Sequence, residues 1–168
     1  ARAIGDAAHL ALARFGPGMA LAHAEDAFAM LRGLGDDALL ARLAASMASQ
    51  TLIREWPGAQ VRLCEQPFVV DLVAGDDSRV VTGICDLLLR DDDGWHLFDY
   101  KTGHAAADPA SHLQVACYAA MAAPHLDAPI RSAWLIDIAS RARTAVDLSA
   151  DAWPRIVAAW DARSIASA

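Results

Sequence analysis

Residues 79–103 read RVVTGICDLLLRDDDGWHLFDYKTG, and this stretch decides the fold. It consists of two largely apolar runs on either side of an acidic turn at 91–94. β-Branched and aromatic runs that flank such a turn are typical of a β-hairpin. A third extended segment, 60–73, precedes them, and Pro67 within it indicates a bend or an edge position. The sequence therefore predicts a three-stranded antiparallel meander.

The turn decides which side chains of the hairpin face each other, and two registers are open. A loop centred between Asp92 and Asp93 sets Asp86 directly opposite Asp99. A two-residue turn one position further along sets Asp86 opposite Lys101, with Asp99 as its diagonal neighbour. Because side chains alternate along a strand, both registers place Asp86, Asp99 and Lys101 on one face.

These three side chains carry the chemistry that the hairpin indicates. They come within roughly 5 to 8 Å of one another, and two buried carboxylates repel unless a positive charge lies between them. Oxygen ligands favour Mg²⁺ or Mn²⁺, and a lysine beside the metal can orient a water or stabilise charge on a phosphate. The alternative is a structural salt bridge from Lys101 to Asp86 or Asp99. The flanking apolar residues predict a sheet covered by helices: Ile84, Leu88, Leu97 and Phe98.

Around the meander, the pattern predicts helices before it and both helix and strands after it. The first third is helical by apolar spacing, a helix follows at 110–122, and a strand pair at 131–138 and 144–148 precedes a last helix that Ser149 can cap. The chain of 168 residues has room for one domain, which we expect to span 1–168. The expected fold class is α/β in the α+β sense, with one sheet flanked by helices.

The composition restricts the class of protein. The net charge of −7 is unlike that of proteins that hold nucleic acid by a broad basic surface. Of the 14 basic residues, only Lys101 is a lysine. The cysteines Cys64, Cys85 and Cys117 show no CxxC spacing, which disfavours an iron–sulfur cluster and fits a cytoplasmic protein. No run approaches the roughly 20 apolar residues of a membrane span.

Five short motifs follow one another in a recognisable order. They are Gly5-x-x-x-His9, Glu65-x-Pro67-Phe68, Gly83-x-x-Asp86, Asp99-Tyr100-Lys101-Thr102-Gly103 and Gln114-x-x-x-Tyr118. This set resembles the nuclease domain of the RecB and AddA helicase–nucleases, within the PD-(D/E)XK superfamily. The resemblance implies a restriction-endonuclease-like core with a central mixed sheet.

The resemblance also implies roles for these residues. His9, Asp86, Asp99 and the backbone carbonyl of Tyr100 would bind Mg²⁺ or Mn²⁺, while Lys101 would position or activate the attacking water. Asp86, Asp99 and Lys101 are then the catalytic residues. Without the resemblance, His9 is an ordinary packed or surface histidine.

Three further residues are expected to support the site. Gln114 and Tyr118 lie one helical turn apart and would contact the substrate backbone or the lysine. Their alternative is an ordinary amphipathic pair, with Tyr118 packed on the sheet. Glu65 would either reach the metal or the lysine, or merely cap the sheet edge.

The function expected from the resemblance is metal-dependent hydrolysis of DNA, in the C-terminal nuclease domain of an AddA-like helicase–nuclease that acts on double-strand breaks. Expected partners are DNA, helicase domains of the same protein and an AddB-like subunit, in the cytoplasm at the nucleoid. No GxxxxGK[ST] loop is present, so this chain would supply only the nuclease activity. The alternatives are a catalytically inactive DNA-binding or scaffolding module and a standalone nuclease for RNA or branched DNA.

Overall fold

The computed structural model describes residues 8–9, 12, 58–74, 77–101, 108–138, 140 and 142–149. Its elements in chain order are β1 (Val61–Ala74), β2 (Asp77–Arg90), β3 (Trp95–Lys101), α1 (Pro109–Ala122), a 3₁₀ turn (Ala123–His125), β4 (Ile130–Asp137) and β5 (Arg143–Ala145). Residues 8, 9 and 12 are also helical. The other predicted helices, in the first third and after Ser149, lie outside the described residues.

The sheet is mixed and has five strands in the order β1-β2-β3-β4-β5. β1, β2 and β3 form the predicted antiparallel meander, with β1 at the edge. β4 runs parallel to β3 and antiparallel to β5. A parallel neighbour requires a crossover, and α1 supplies it between β3 and β4. The α/β fold with a single mixed sheet is therefore confirmed.

The hairpin between β2 and β3 adopts the first of the two predicted registers. Arg90 pairs with Trp95 and Leu87 with Phe98, which continues to Asp86 opposite Asp99. The loop at 91–94 is closed by the Oδ1 of Asp91, which accepts hydrogen bonds from the backbone of residues 93 and 94 at 2.9 and 3.1 Å. The register that sets Asp86 opposite Lys101 is wrong, because this loop has four residues rather than two.

The pleat of β1 and β2 is interrupted where Glu65 faces Asp86. Glu65 has a positive φ of 49°, and no ladder pair joins it to Asp86 although the pairs on both sides share one register. Leu88 packs on the core under α1, and so does Cys85, although residues three apart in a regular strand face opposite sides. The alternation of side chains between the two faces of the sheet therefore shifts by one residue at Glu65 and Asp86.

Beyond this break, β1 and β2 continue as a two-stranded arm that does not pair with β3. Its inner face packs against α1 through Phe68. Its outer face carries Val69, Val80 and Ile84, which are 61%, 65% and 52% exposed. The prediction that helices cover Ile84 is wrong, because α1 covers only one face of the arm. Leu88, Leu97 and Phe98 are fully buried, as predicted.

α1 lies across the sheet and positions side chains over the end of β3. The predicted helix is confirmed, with Asp108 as its N-cap and Pro109 in its first turn. Val115, Ala119 and Ala122 pack into the core with Leu97 and Leu135. Within the described part of the chain, no helix is both long and apolar enough to span a membrane.

Candidate metal centre and active site

Asp86 lies where β2 and β3 separate. The last paired residues are Leu87 and Phe98, so the backbone N–H of Tyr100 has no partner from β2. The Oδ2 of Asp86 accepts a hydrogen bond from that N–H at 2.6 Å. The side chain is 6% exposed. Its carboxylate accepts the hydrogen bond that a backbone carbonyl of β2 would accept if the two strands were still paired at Tyr100.

His9 bridges Asp86 and the end of β3. Its Nδ1 lies 3.1 Å from the Oδ1 of Asp86, and its Nε2 lies 2.9 Å from the carbonyl oxygen of Tyr100. Both neighbours can only accept, so the ring satisfies both when each nitrogen carries a proton. Burial disfavours this charge, but the hydrogen bond to Asp86 and its negative charge outweigh burial and raise the pKa of His9.

Glu65 completes a group of three side chains able to hold a metal ion. One ligand atom each of His9, Glu65 and Asp86 lies within 4.8 Å of the others. The left-handed backbone of Glu65, at φ 49°, is rare for a residue with a side chain. Burial, followed by the charge of Asp86, raises the pKa of its carboxyl. Glu65 thus lies near enough to His9 and Asp86 for the three side chains to share a metal ion, and its role there stays a prediction.

Asp99 and Lys101 form an ion pair beside this group. Lys101 Nζ lies 2.6 Å from the Oδ2 of Asp99, but that buried oxygen receives no well-aligned hydrogen bond from the described residues. Burial and the charge of Asp86 raise the pKa of Asp99 to about 6, and the Lys101 charge limits the rise. Asp99 is therefore a buried carboxylate whose charge the Lys101 ammonium partly compensates.

Gln114 and Tyr118 reach the same site from α1. Lys101 Nζ donates to the Oε1 of Gln114 at 2.9 Å, and Gln114 Nε2 donates to the hydroxyl of Tyr118 at 2.6 Å. Gln114 thus makes the predicted contact with the lysine, whereas Tyr118 contacts Gln114 and packs against the core of the sheet. The ammonium is thus held between a carboxylate from its own strand and an amide from the helix above it.

The donor set fits a hard divalent cation. Oxygen ligands, with one imidazole, are those that Mg²⁺ and Mn²⁺ accept. The structure brings together His9, Glu65, Asp86 and the Tyr100 carbonyl, while Asp99 lies beside them and faces Lys101. Burial, followed by the charge of Asp86, raises the pKa values of both the Glu65 and the Asp99 carboxyl, and a bound cation would favour their charged forms.

All the predicted site residues lie in the described part of the chain, and they converge on the end of β3. What sequence reasoning missed is the interrupted pleat at Glu65. A non-glycine residue with positive φ gives no signal in the sequence, since its cause is the surrounding structure.

Comparison with known proteins identifies a family and finds similar solved structures. The family model of the PD-(D/E)XK nuclease superfamily matches residues 1–160. No curated protein matches significantly. Among solved structures, the crystal structure of SSO0001 is similar with a TM-score of 0.47 and 14% identity, over 84% of this chain and 66% of that chain. The match therefore covers slightly less than two thirds of that solved chain.

Proposed function

Because the chain belongs to the PD-(D/E)XK nuclease superfamily, we propose that it is a metal-dependent nuclease that hydrolyses phosphodiester bonds in DNA. The mixed five-stranded sheet has the restriction-endonuclease-like α/β fold. The proposed metal is Mg²⁺ or Mn²⁺, bound by His9, Asp86, Asp99 and the Tyr100 carbonyl, with Glu65 next to it.

One observation carries the proposal: the Asp99–Lys101 pair lies directly beside the cluster of His9 and Asp86. Burial, and after it the charge of Asp86, raises the pKa of the Asp99 carboxyl to about 6 although the ammonium of Lys101 lies 2.6 Å away. A site that concentrates buried carboxylates and retains one lysine is costly for stability. That cost favours a functional role over a structural one.

The chain's own residues divide the work of hydrolysis. A bound divalent cation would polarise the scissile phosphate and lower the pKa of a water. Lys101 holds a compact ammonium next to that position, where it orients the attacking water or stabilises charge on a phosphate oxygen. Asp99 and Gln114 fix the ammonium from two sides. Preorganised charge of this kind is worth more in a buried site than in water.

We assign this nuclease to an AddA/RecB-like helicase–nuclease that processes double-strand breaks in the cytoplasm, at the nucleoid. The ordered motifs from His9 to Tyr118 support this assignment, the DYKTG run at 99–103 most of all. The proposed partners are single-stranded DNA ends, helicase domains of the same protein and an AddB-like subunit. With a net charge of −7, the chain would depend on such neighbours for most of its grip on DNA.

Cleavage of end-labelled single-stranded DNA with Mg²⁺ or Mn²⁺ tests the nuclease. Asp99→Asn and Lys101→Met should each lower the rate by roughly 100-fold or more, because each removes a charge that the transition state needs. Asp71→Asn is the matched control, since it removes an exposed carboxylate on β1. It should leave the rate unchanged.

Equal cleavage by the wild type and both site variants would refute the proposed mechanism. If the wild type binds DNA but cleaves neither DNA nor RNA with either metal, the chain is an inactive nuclease-like module. Faster cleavage of RNA or branched DNA than of DNA ends would instead favour a standalone nuclease.

A further inference from the structure

We infer that Gly83 is a positioning residue for Lys101, acting through Tyr118 and Gln114. The inference deepens the proposed function and rests on it. Gly83 lies on β2, three residues before Asp86, and would act on Lys101 through the Tyr118 ring. Because Gly83 has no side chain, it leaves space for the ring of Tyr118, whose hydroxyl is bonded to Gln114, which in turn is bonded to Lys101.

The geometry shows why this residue is glycine. A Cβ on Gly83 would lie 2.5 Å from the Cε1 and 3.0 Å from the Cδ1 of Tyr118. Favourable carbon–carbon contacts lie at about 3.5 to 4.0 Å, so the ring could not keep its place. Gly94, at φ 140°, is the glycine with positive φ among the described residues, whereas Gly83 has strand backbone that any residue adopts. Space, rather than backbone freedom, is what Gly83 supplies.

The Tyr118 hydroxyl holds the Gln114 amide in the orientation that Lys101 requires. An ammonium can only donate, so the Gln114 oxygen must face Lys101, and it does so at 2.9 Å. The amide nitrogen then needs an acceptor on its other side, and the Tyr118 hydroxyl accepts at 2.6 Å. The ring seated on Gly83 therefore holds the amide with its carbonyl toward the lysine.

This arrangement leaves the ammonium with a defined direction. Lys101 has three N–H donors on a flexible four-carbon chain. Two oxygens from different elements, of Asp99 and Gln114, lie within 3 Å of its Nζ. Two fixed neighbours restrict the rotation of this tetrahedral group, so that an N–H donor can be aimed at a water or phosphate oxygen. Without Gln114 in place, Asp99 alone would leave the ammonium free to rotate.

A double-mutant cycle on DNA cleavage tests the chain of contacts. Gly83→Ala and Tyr118→Phe should each lower kcat about tenfold, because a misdirected lysine acts on the reaction rather than on binding. The double variant should also lose about tenfold, since both changes break the same link. KM for DNA and the affinity for Mn²⁺ should change less than about twofold. Losses that multiply would overturn the inference.

A second measurement observes the mobility of the Lys101 side chain directly by NMR. Because Lys101 is the chain's one lysine, ¹³C-lysine labelling gives a single Cε signal in the metal-free protein. Gly83→Ala and Tyr118→Phe should both shift and sharpen it as the ammonium becomes mobile. Gly58→Ala is the control, because a Cβ there meets no atom within 4 Å. It should alter neither the signal nor kcat.

The outcomes separate the two proposals. An unchanged Lys101 signal and kcat in Gly83→Ala would refute the positioning role. If Gly83→Ala does not fold, Tyr118→Phe, which keeps the ring, must still mobilise the lysine or the inference fails. If the Lys101 signal responds to Gly83→Ala and Tyr118→Phe as expected but the wild type cleaves no DNA, the proposed function is refuted. The positioning of Lys101 through Tyr118 and Gly83 would still be established.

Discussion

His9 shows how a single side chain can take the place of a cation. Its two ring nitrogens lie 3.1 Å from a carboxylate oxygen of Asp86 and 2.9 Å from the carbonyl oxygen of Tyr100. As an imidazolium, it supplies positive charge between two acceptors that the proposed metal would also use. Metal and proton therefore compete for this position, and the same holds at Asp99.

We expect the affinity for Mn²⁺ to rise with pH. Below a pKa of about 6 the Asp99 carboxyl holds a proton, and below its raised pKa His9 holds a second one. A cation must displace both, so affinity should increase about tenfold per pH unit for each proton released. It should level off above the pKa of His9. Calorimetric titration of the metal-free protein at several pH values measures this slope.

Asp99→Asn serves as the control for that slope. It removes one of the two competing protons, so the pH dependence of Mn²⁺ binding should become shallower while His9 still contributes. An affinity independent of pH in the wild type would show that neither group binds the metal.

At the scale of elements, the hairpin was predictable and its interruption was not. Apolar runs around the turn at 91–94 specify β2 and β3, but the sequence left two registers open, and the structure adopts the one that continues to Asp86 opposite Asp99. The break at Glu65 has no local sequence cause. It arises where β2 leaves β3 and the Asp86 side chain turns to the N–H of Tyr100. Side-chain alternation along paired strands therefore predicts that the carboxylates lie close together. It does not predict the hydrogen bond that holds Asp86 to the backbone of Tyr100.

The helix that carries Gln114 depends on its N-cap. Asp108 Oδ1 accepts a hydrogen bond from the backbone N–H of Ala110 at 3.1 Å. Asp108→Ala should lower the free energy of unfolding by about 1 kcal/mol, because an N–H in the first turn loses its partner. Urea denaturation measures the change, with Asp71→Ala as the exposed control. A loss no greater than that of the control would show that the cap does not stabilise α1.

At the scale of the whole molecule, the metal-free site is a source of instability. Glu65, Asp86 and Asp99 collect negative charge in a protein whose net charge is already −7. A ligand that binds only the folded state stabilises it in proportion to its occupancy. The folded chain should therefore gain more from a divalent cation than a protein without such a cluster.

Thermal unfolding should show this gain as a rise in Tm. With free Mn²⁺ at 100 times its Kd, the stabilisation is about 2.7 kcal/mol, and a chelator should reverse it. Asp86→Asn should show a much smaller rise, because it weakens the central ligand. The same Tm with Mn²⁺ and with chelator would contradict a metal centre in this chain.

The sequence by itself determined the meander, the helix at 110–122 and the strand pair after it, because turn chemistry and side-chain alternation act between near neighbours, but it left two registers open for Asp86 and Asp99. Only the tertiary structure decided what stands around that pair. The Nε2 of His9 meets a carbonyl 91 positions away in the sequence, and no local pattern encodes how a helix docks on a sheet. The left-handed Glu65 and the ring of Tyr118 on Gly83 are likewise products of packing, which depends on the fit of distant surfaces.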